Sequence, residues 1–378
     1  MCPYKTPSGL LLSKMKATFK KKSTRGLFLY RLSRIKFLVG FTGGIALACA
    51  IFIFIQIFLP LKSAAADPTP FVLEEGQGVF QVASRLKAQG LIRSRFMFSL
   101  YTIATGKYGR LQTGNYLLTP ALSTHEIANK FAKGDIVKET ITIKEGWSLR
   151  NIAEEFENRG FFTQEEFFTV TGRPGVDYRD ETASSRPQDF SEEFDFLAGK
   201  PHYVSLEGYL FPDTYEVTAQ ETPESIVRRM LRNFENNIDP VLPDIEAQGK
   251  TLFEAITMSS IIEKEVRSLE DKKLVSGILW KRLENGMRLE VDSTIVYVRE
   301  GNYYRVTFEE LKVKSSYNTY TNYGLPPGPI SNPGIESIKA ALHPAKSPYW
   351  FYLSPNINTT VFSETFDQHR AAANQYIR

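Results

Sequence analysis

Between Phe37 and Leu59 the chain runs for 23 residues without a charged side chain, FLVGFTGGIALACAIFIFIQIFL, and Gln56 is its one strongly polar member. At about 1.5 Å per residue, a helix of that length crosses a hydrocarbon core of roughly 30 Å. A water-soluble fold would have to cover such a helix on every side, so the run splits the chain into a head and a body. Residues 1–36 carry ten Lys and Arg and no Asp or Glu, whereas only Lys62 lies close behind the run. That asymmetry predicts an uncleaved single-pass anchor over 37–61, with the N-terminus in the cytoplasm and the body on the far side of the membrane. Ser63-Ala64-Ala65-Ala66 resembles a signal cleavage site, but a signal h-region is typically about 7–15 residues, shorter than this run.

Charge excludes one class of partner. The chain of 378 residues has a formal net charge of +4, yet outside the head 36 Lys and Arg stand against 42 Asp and Glu. A nucleic-acid-binding body would carry the positive patch itself, so no nucleic acid is expected. The two cysteines, Cys2 and Cys49, lie in the head and the run, which leaves the body to be stabilised by its core rather than by disulfides. The histidines, His125, His202, His343 and His369, are too scattered for metal-ligand spacing, and no metal is expected.

The body opens with an internal repeat at an offset of 70 residues. Phe71-Val72-Leu73-Glu74-Glu75-Gly76 matches Ile141-Thr142-Ile143-Lys144-Glu145-Gly146, and Val82-Ala83, Leu86, Gly90 and Phe98 match Ile152-Ala153, Phe156, Gly160 and Phe168. Each copy reads as a strand, a Glu-Gly turn, an amphipathic helix, a Gly stop and a second helix. Between them Gly114–Leu118 reads as a strand, and Ser123 with Glu126 forms a capping box. Modules of this size resemble LysM-like carbohydrate-binding folds; the other reading is a pair of spacers. Residues 171–201 lose the periodicity and read as a loop or insertion. From 202 onward helical runs (Pro223–Asn237, Leu252–Leu269, Lys272–Glu284, Ile335–Leu342) mix with short strands (Trp350–Leu353, Thr360–Ser363). The expected fold class is α+β: one N-terminal transmembrane helix, LysM-like βα modules and a mixed α/β catalytic domain. Its order is a basic tail over 1–36, the anchor over 37–61, a linker over 62–70, repeats over 71–170, the insertion over 171–201 and the final domain over 202–378.

Three segments have the residues for chemistry. In LEGYLFPDTY, residues 206–215, Glu207 stands among Tyr209, Leu210, Phe211 and Tyr215. Apolar surroundings would raise its pKa and keep it protonated near neutrality, as a general acid requires; the alternative is an exposed turn over core aromatics. In Leu252–Val266, Glu263 and Glu265 flank an apolar helical stripe, either lining a cleft or forming solvated helix edges. In Ser315–Gly334, Pro and Gly fix the backbone while Tyr, Asn and Thr offer hydrogen bonds and flat faces suited to a sugar; a rigid surface turn competes. No G-x-S-x-G occurs, Ser316-Tyr317-Asn318 lacks an accompanying K-T-G, and Gly249-Lys250-Thr251 lacks the earlier Gly of a phosphate loop.

Taken together, LEGYLFPDTY (206–215), SSIIEKE (259–265), LEVDSTIVY (289–297), SSYNTYTNYGLPPGPISNPG (315–334), AALHPAKSPYWFYL (340–353) and FSETFDQH (362–369) resemble the YceG-like family of membrane-anchored endolytic murein transglycosylases. Ser293 and Ser316 depart from the Pro usual there. The resemblance implies Glu207 as the catalytic residue and a peptidoglycan glycan strand as substrate. It also implies cleavage of the β-1,4 bond between N-acetylmuramic acid and N-acetylglucosamine, leaving 1,6-anhydro ends, with no cofactor. Tyr209, Asp213, Tyr215, Glu263, Glu265, Asp292, Tyr317, Asn318, Thr319 and Tyr320 are then candidates for holding the sugar and stabilising oxocarbenium-like charge. Peptidoglycan synthases are the implied protein partners, and the bacterial inner membrane the location. Two other classes remain open: a non-catalytic glycan-binding scaffold, and a pyridoxal-phosphate lyase of aminodeoxychorismate, which an anchor argues against.

Overall fold

A computed structural model describes residues 34, 36–62, 67–179, 186–299, 306–356 and 359–376. Most of the basic head, the Ser63–Ala66 segment and residues 180–185 of the expected insertion lie outside the described residues. Helix α1, Lys36–Phe58, is long and apolar enough to cross a membrane, and its most apolar stretch is not buried within the protein, although Ile57 near its end is. The chain divides into two compact units, Met1–Val137 and Lys138–Arg378.

In the first unit, β1 (Thr69–Leu73) is followed by α2 (Val79–Ala88), α3 (Arg95–Ala104), β2 (Gly114–Leu118) and α4 (Thr124–Lys133). β1 and β2 are antiparallel with Phe71 opposite Tyr116. Alternation along the strands turns Phe71, Leu73, Tyr116 and Leu118 onto Val82, Leu86, Phe98, Ile127 and Phe131. Ser94 caps α3, and Ser123 with Glu126 closes the expected capping box on α4. The end of α1 is fastened to this unit. Thr124 Oγ1 donates to the Gln56 carbonyl at 3.0 Å, the Lys62 amide donates to the Pro120 carbonyl at 3.0 Å, and Arg93 donates to the Pro60 carbonyl. The Phe58 ring lies 5.2 Å from that of His125.

The second unit begins with the second repeat copy: β3 (Lys138–Thr142), α5 (Leu149–Asn158) and α6 (Gln164–Thr171). Its closing strand arrives much later, as β4 (Thr214–Thr218), antiparallel to β3 with Ile141 opposite Tyr215. Both copies therefore have the order β-α-α-β, and residues 172–213 are strung between the second helix and the last strand of the second. Next come α7 (Pro223–Ile238), α8 (Leu242–Ala247), α9 (Leu252–Glu265), α10 (Leu269–Glu284) and α11 (Asp292–Val298). The chain ends with α12 (Ile335–Leu342), the ribbon β5 (Phe351–Asn356) and β6 (Thr359–Ser363), and α13 (Phe366–Tyr376). The helix expected over 252–269 is shorter, because Val266 is extended (φ −145°, ψ 160°) and Ser268 caps a new helix at Leu269. One core joins β3, α5–α7 and β4 through Phe156, Phe167, Phe194, Tyr209 and Phe234. A second joins α9–α11 to the Pro/Gly loop through Ile261, Leu279, Tyr297, Tyr317 and Ile330.

Candidate active site

Glu207 lies in the stretch between α6 and β4, and its local geometry is forced. The Leu206 amide donates to the Thr171 carbonyl at 2.8 Å, tying the stretch to the end of α6. Gly208 follows at φ +90°, where a Cβ would sit 2.6 Å from Pro329 and 2.9 Å from Ile256. No side chain fits that conformation or that space, so the Pro/Gly loop of 324–334 closes directly on the Glu207–Gly208 peptide and delivers Asn332.

Glu207 is 1% exposed. Its carboxyl receives hydrogen bonds from three groups on three elements. The Leu149 amide, first in α5, donates to Oε1 at 3.0 Å and Oε2 at 3.2 Å. Asn332 Nδ2 donates to Oε1 at 3.1 Å, and the Tyr297 hydroxyl of α11 donates to Oε2 at 3.1 Å. Desolvation pushes the Glu207 pKa up to about 8 against the Leu149 and Tyr297 hydrogen bonds and the charges of Arg150 and Lys264. The carboxyl is thus protonated near neutrality but already furnished with the donors that would hold it as a carboxylate, and the α5 N-terminus adds a favourable dipole. Such a group gives up a proton and takes one back near neutral pH.

Other expected site residues fall into separate groups. The Tyr317 ring packs tilted against Tyr297 with centroids 5.2 Å apart, and burial, then the Glu207 charge, raises the pKa of its hydroxyl. Asn318 and Thr319 turn inward. Asn318 Nδ2 donates to the Leu311 and Val313 carbonyls, and Thr319 Oγ1 accepts from the Val291 amide at 3.1 Å. Tyr320 donates to Asp292 at 2.6 Å, and Tyr352 donates to Glu265 at 3.1 Å. Burial, and to a smaller extent the Asp292 charge, raises the Glu265 pKa. Glu263 is not a solvated helix edge: it pairs with Lys272 at 3.1 Å, the two side chains 8% and 3% exposed, and accepts from the Gly334 amide at 3.0 Å. Tyr209 packs against Phe196 and Phe234 in the core, while Asp213 and Tyr215 both bond Asn233. None of these last three hydrogen-bonds Glu207. Among the described residues no group of three His, Cys, Asp or Glu is arranged to hold a metal ion.

The residues that do hold Glu207 were not among the expected ones. Leu149 contributes only a backbone amide, and its signal is the Ser148/Asn151 capping box that starts α5. Tyr297 and Asn332 lie inside the LEVDSTIVY and Pro/Gly segments but carry no local mark of their role.

The fold and this arrangement define a mixed α/β protein with an N-terminal apolar helix and a buried carboxyl, Glu207, held by three hydrogen-bond donors. The YceG-like family model matches residues 71–375, and the chain belongs to that family. The endolytic murein transglycosylase of Bacillus subtilis (strain 168) is 29% identical over 320 residues, spanning 84% of this chain and 87% of that protein. The protein of the same name from Streptococcus pneumoniae D39 is 29% identical over 317 residues, covering 78% of this chain and 56% of its own length. The crystal structure of a yceG-like protein from Listeria monocytogenes superposes with a TM-score of 0.54 at 30% identity, over 81% of this chain and 99% of that one.

Proposed function

We propose that this protein is a peptidoglycan lytic transglycosylase that cuts within glycan strands, with Glu207 as its acid and base. The observation that carries the reading is the desolvated Glu207 carboxyl, raised to about 8 and ringed by hydrogen-bond donors. The names of the Bacillus and pneumococcal relatives support the substrate class. A hydrolase that uses water needs two carboxyls at a set spacing. A single carboxyl suffices when the nucleophile belongs to the substrate. Glu207 gives its proton to the glycosidic oxygen as the bond to C1 of N-acetylmuramic acid breaks. The C6 hydroxyl of the same sugar then attacks C1 and returns its proton to the carboxylate, leaving the 1,6-anhydro ring and no net change in protonation. The tethered hydroxyl supplies the high effective concentration that a free water lacks. Because Glu207 is 1% exposed, a glycan reaches it only by displacing the side chains that cover it.

In this reading α1 anchors the chain in the bacterial inner membrane with the basic head in the cytoplasm and both units outside. The repeat copies are LysM-like modules that bind glycan weakly, and peptidoglycan synthases making nascent strands are the fitting protein partners. Digesting purified glycan strands and weighing the products by mass spectrometry tests the chemistry. Anhydro-ended fragments from the wild type and almost none from Glu207→Gln are expected. Reducing-end muramic acid in place of the anhydro form overturns the single-carboxyl mechanism, and binding without any cleavage leaves a glycan-binding scaffold.

A further inference from the structure

We propose that Tyr297 is the positioning residue that selects which oxygen of Glu207 carries the transferable proton and that serves this oxygen in both of its protonation states. The inference rests on Glu207 being the acid. Asn332 cannot turn its amide over, because Oδ1 already accepts from the Gly208 amide at 3.0 Å and the Leu210 amide at 2.9 Å. Its Nδ2 must therefore face Glu207 Oε1, 3.1 Å away, beside the Leu149 amide at 3.0 Å. Neither group has a lone pair to offer. A proton on Oε1 would meet two N–H groups, so Oε1 is the carbonyl oxygen of the acid and Oε2 its hydroxyl.

At Oε2 the decisive partner is Tyr297, 3.1 Å away, and among the described groups bonded to Glu207 only a hydroxyl both gives and accepts. Its rotation is set from behind, because the Gly175 amide donates to the Tyr297 hydroxyl at 3.0 Å. One lone pair is thereby occupied. The phenol proton points at Oε2 when Glu207 is ionised, and the remaining lone pair receives the Oε2 proton when it is not. Arg150 of α5 and Lys264 of α9 act on Glu207 by charge. Tyr317, its ring centroid 5.2 Å from that of Tyr297, acts on Tyr297 by charge, and Asp177, Tyr203 and Tyr178 act in turn on Tyr317. None of these hydrogen-bonds the Glu207 carboxyl among the described residues.

The test uses the full chain in lipid nanodiscs, with cleavage of purified glycan strands followed across pH. In the wild type kcat falls on the alkaline side as Glu207 loses its proton. Tyr297→Phe removes a bond to the ionised form, roughly twice as strong as the one to the neutral acid. That alkaline limb is expected to move up by roughly 0.5–1 pH unit, with kcat reduced about tenfold and KM little changed. Replacing Tyr297 by a fluorotyrosine keeps the hydroxyl but makes it a stronger donor, and the limb should move down, which preserves the test should the Phe variant not fold. Tyr178→Phe frees the Arg173 amide in the segment that holds Gly175, and the limb should stay in place. If the limb does not move in either Tyr297 variant while Glu207→Gln is inactive, the role given to Tyr297 is wrong and Glu207 remains the acid. Continued cleavage by Glu207→Gln removes both.

Discussion

Removing the Asn332 side chain tests whether the site is held as described. Its four side-chain hydrogen bonds run to Gly208, Leu210, Glu207 and Trp147, and the residue is fully buried. In Asn332→Ala the Trp147 carbonyl keeps a partner, because the Asn332 backbone amide also donates to it at 2.8 Å. The Gly208 and Leu210 amides keep none. Each buried amide left unpaired costs about 1–3 kcal/mol, so the pair costs about 2–6 kcal/mol. For a unit of this size each kcal/mol lowers Tm by about 2–4 °C, and a fall of roughly 4–24 °C follows. Thermal unfolding followed by near-UV circular dichroism reads the fall. Hydrogen exchange should localise it, with the 208 and 210 amides losing protection before those of α7. A Tm within about 2 °C of wild type together with unchanged exchange at both amides would refute the argument, since two desolvated donors cannot be lost at no cost.

Glu207 makes stability depend on pH. Its folded pKa is raised to about 8 from 4.5, so the folded protein holds a proton that the unfolded chain releases, and stability falls as pH rises between those two values. Glu207→Gln should lose this slope and exceed the wild type in Tm above pH 8; parallel Tm curves for the two proteins would contradict it. Lys272→Met strands the buried Glu263 carboxylate and should cost about 3–5 kcal/mol in chemical denaturation, with much of that recovered when Glu263→Gln is added; equal stability of Lys272→Met and wild type would sink this. Gly208→Ala, at φ +90° and 2.6 Å from Pro329, should destabilise by more than about 2 kcal/mol and abolish cleavage; a stable, active variant would show that the loop closes differently.

Periodicity is a local property, and what it governs was readable: the apolar run, the matched helices of the two copies, the capping box at Ser123. The buried setting of Glu207 was only one of two readings, because the aromatic and aliphatic residues near it in sequence fit an exposed turn over core aromatics just as well. Its partners were not readable, because Leu149, Tyr297 and Asn332 stand 58, 90 and 125 residues away and only tertiary packing brings them in. Composition also cannot tell a core aromatic from a cleft aromatic, which is why Tyr209 and Tyr215 were candidates for sugar contact. The polar residues of the Pro/Gly segment misled in the opposite way. A backbone that makes few regular hydrogen bonds of its own takes them from side chains, and Asn318 and Thr319 are consumed in holding the loop.

The fastening of α1 to the first unit has a mechanical consequence. Contacts at Gln56, Pro60 and Lys62, with Phe58 against His125, leave no swivel between the helix and the β1–β2 module, so the two behave as a shaft and its handle. A helix advances about 100° per residue, so one residue inserted within α1 before Gln56 would leave these contacts in place while turning the helix upstream of it by more than a quarter revolution relative to the handle. If α1 spans a bilayer, as proposed above, a tilt of the shaft turns the handle with it, and the height of the first unit follows from where the apolar run stops.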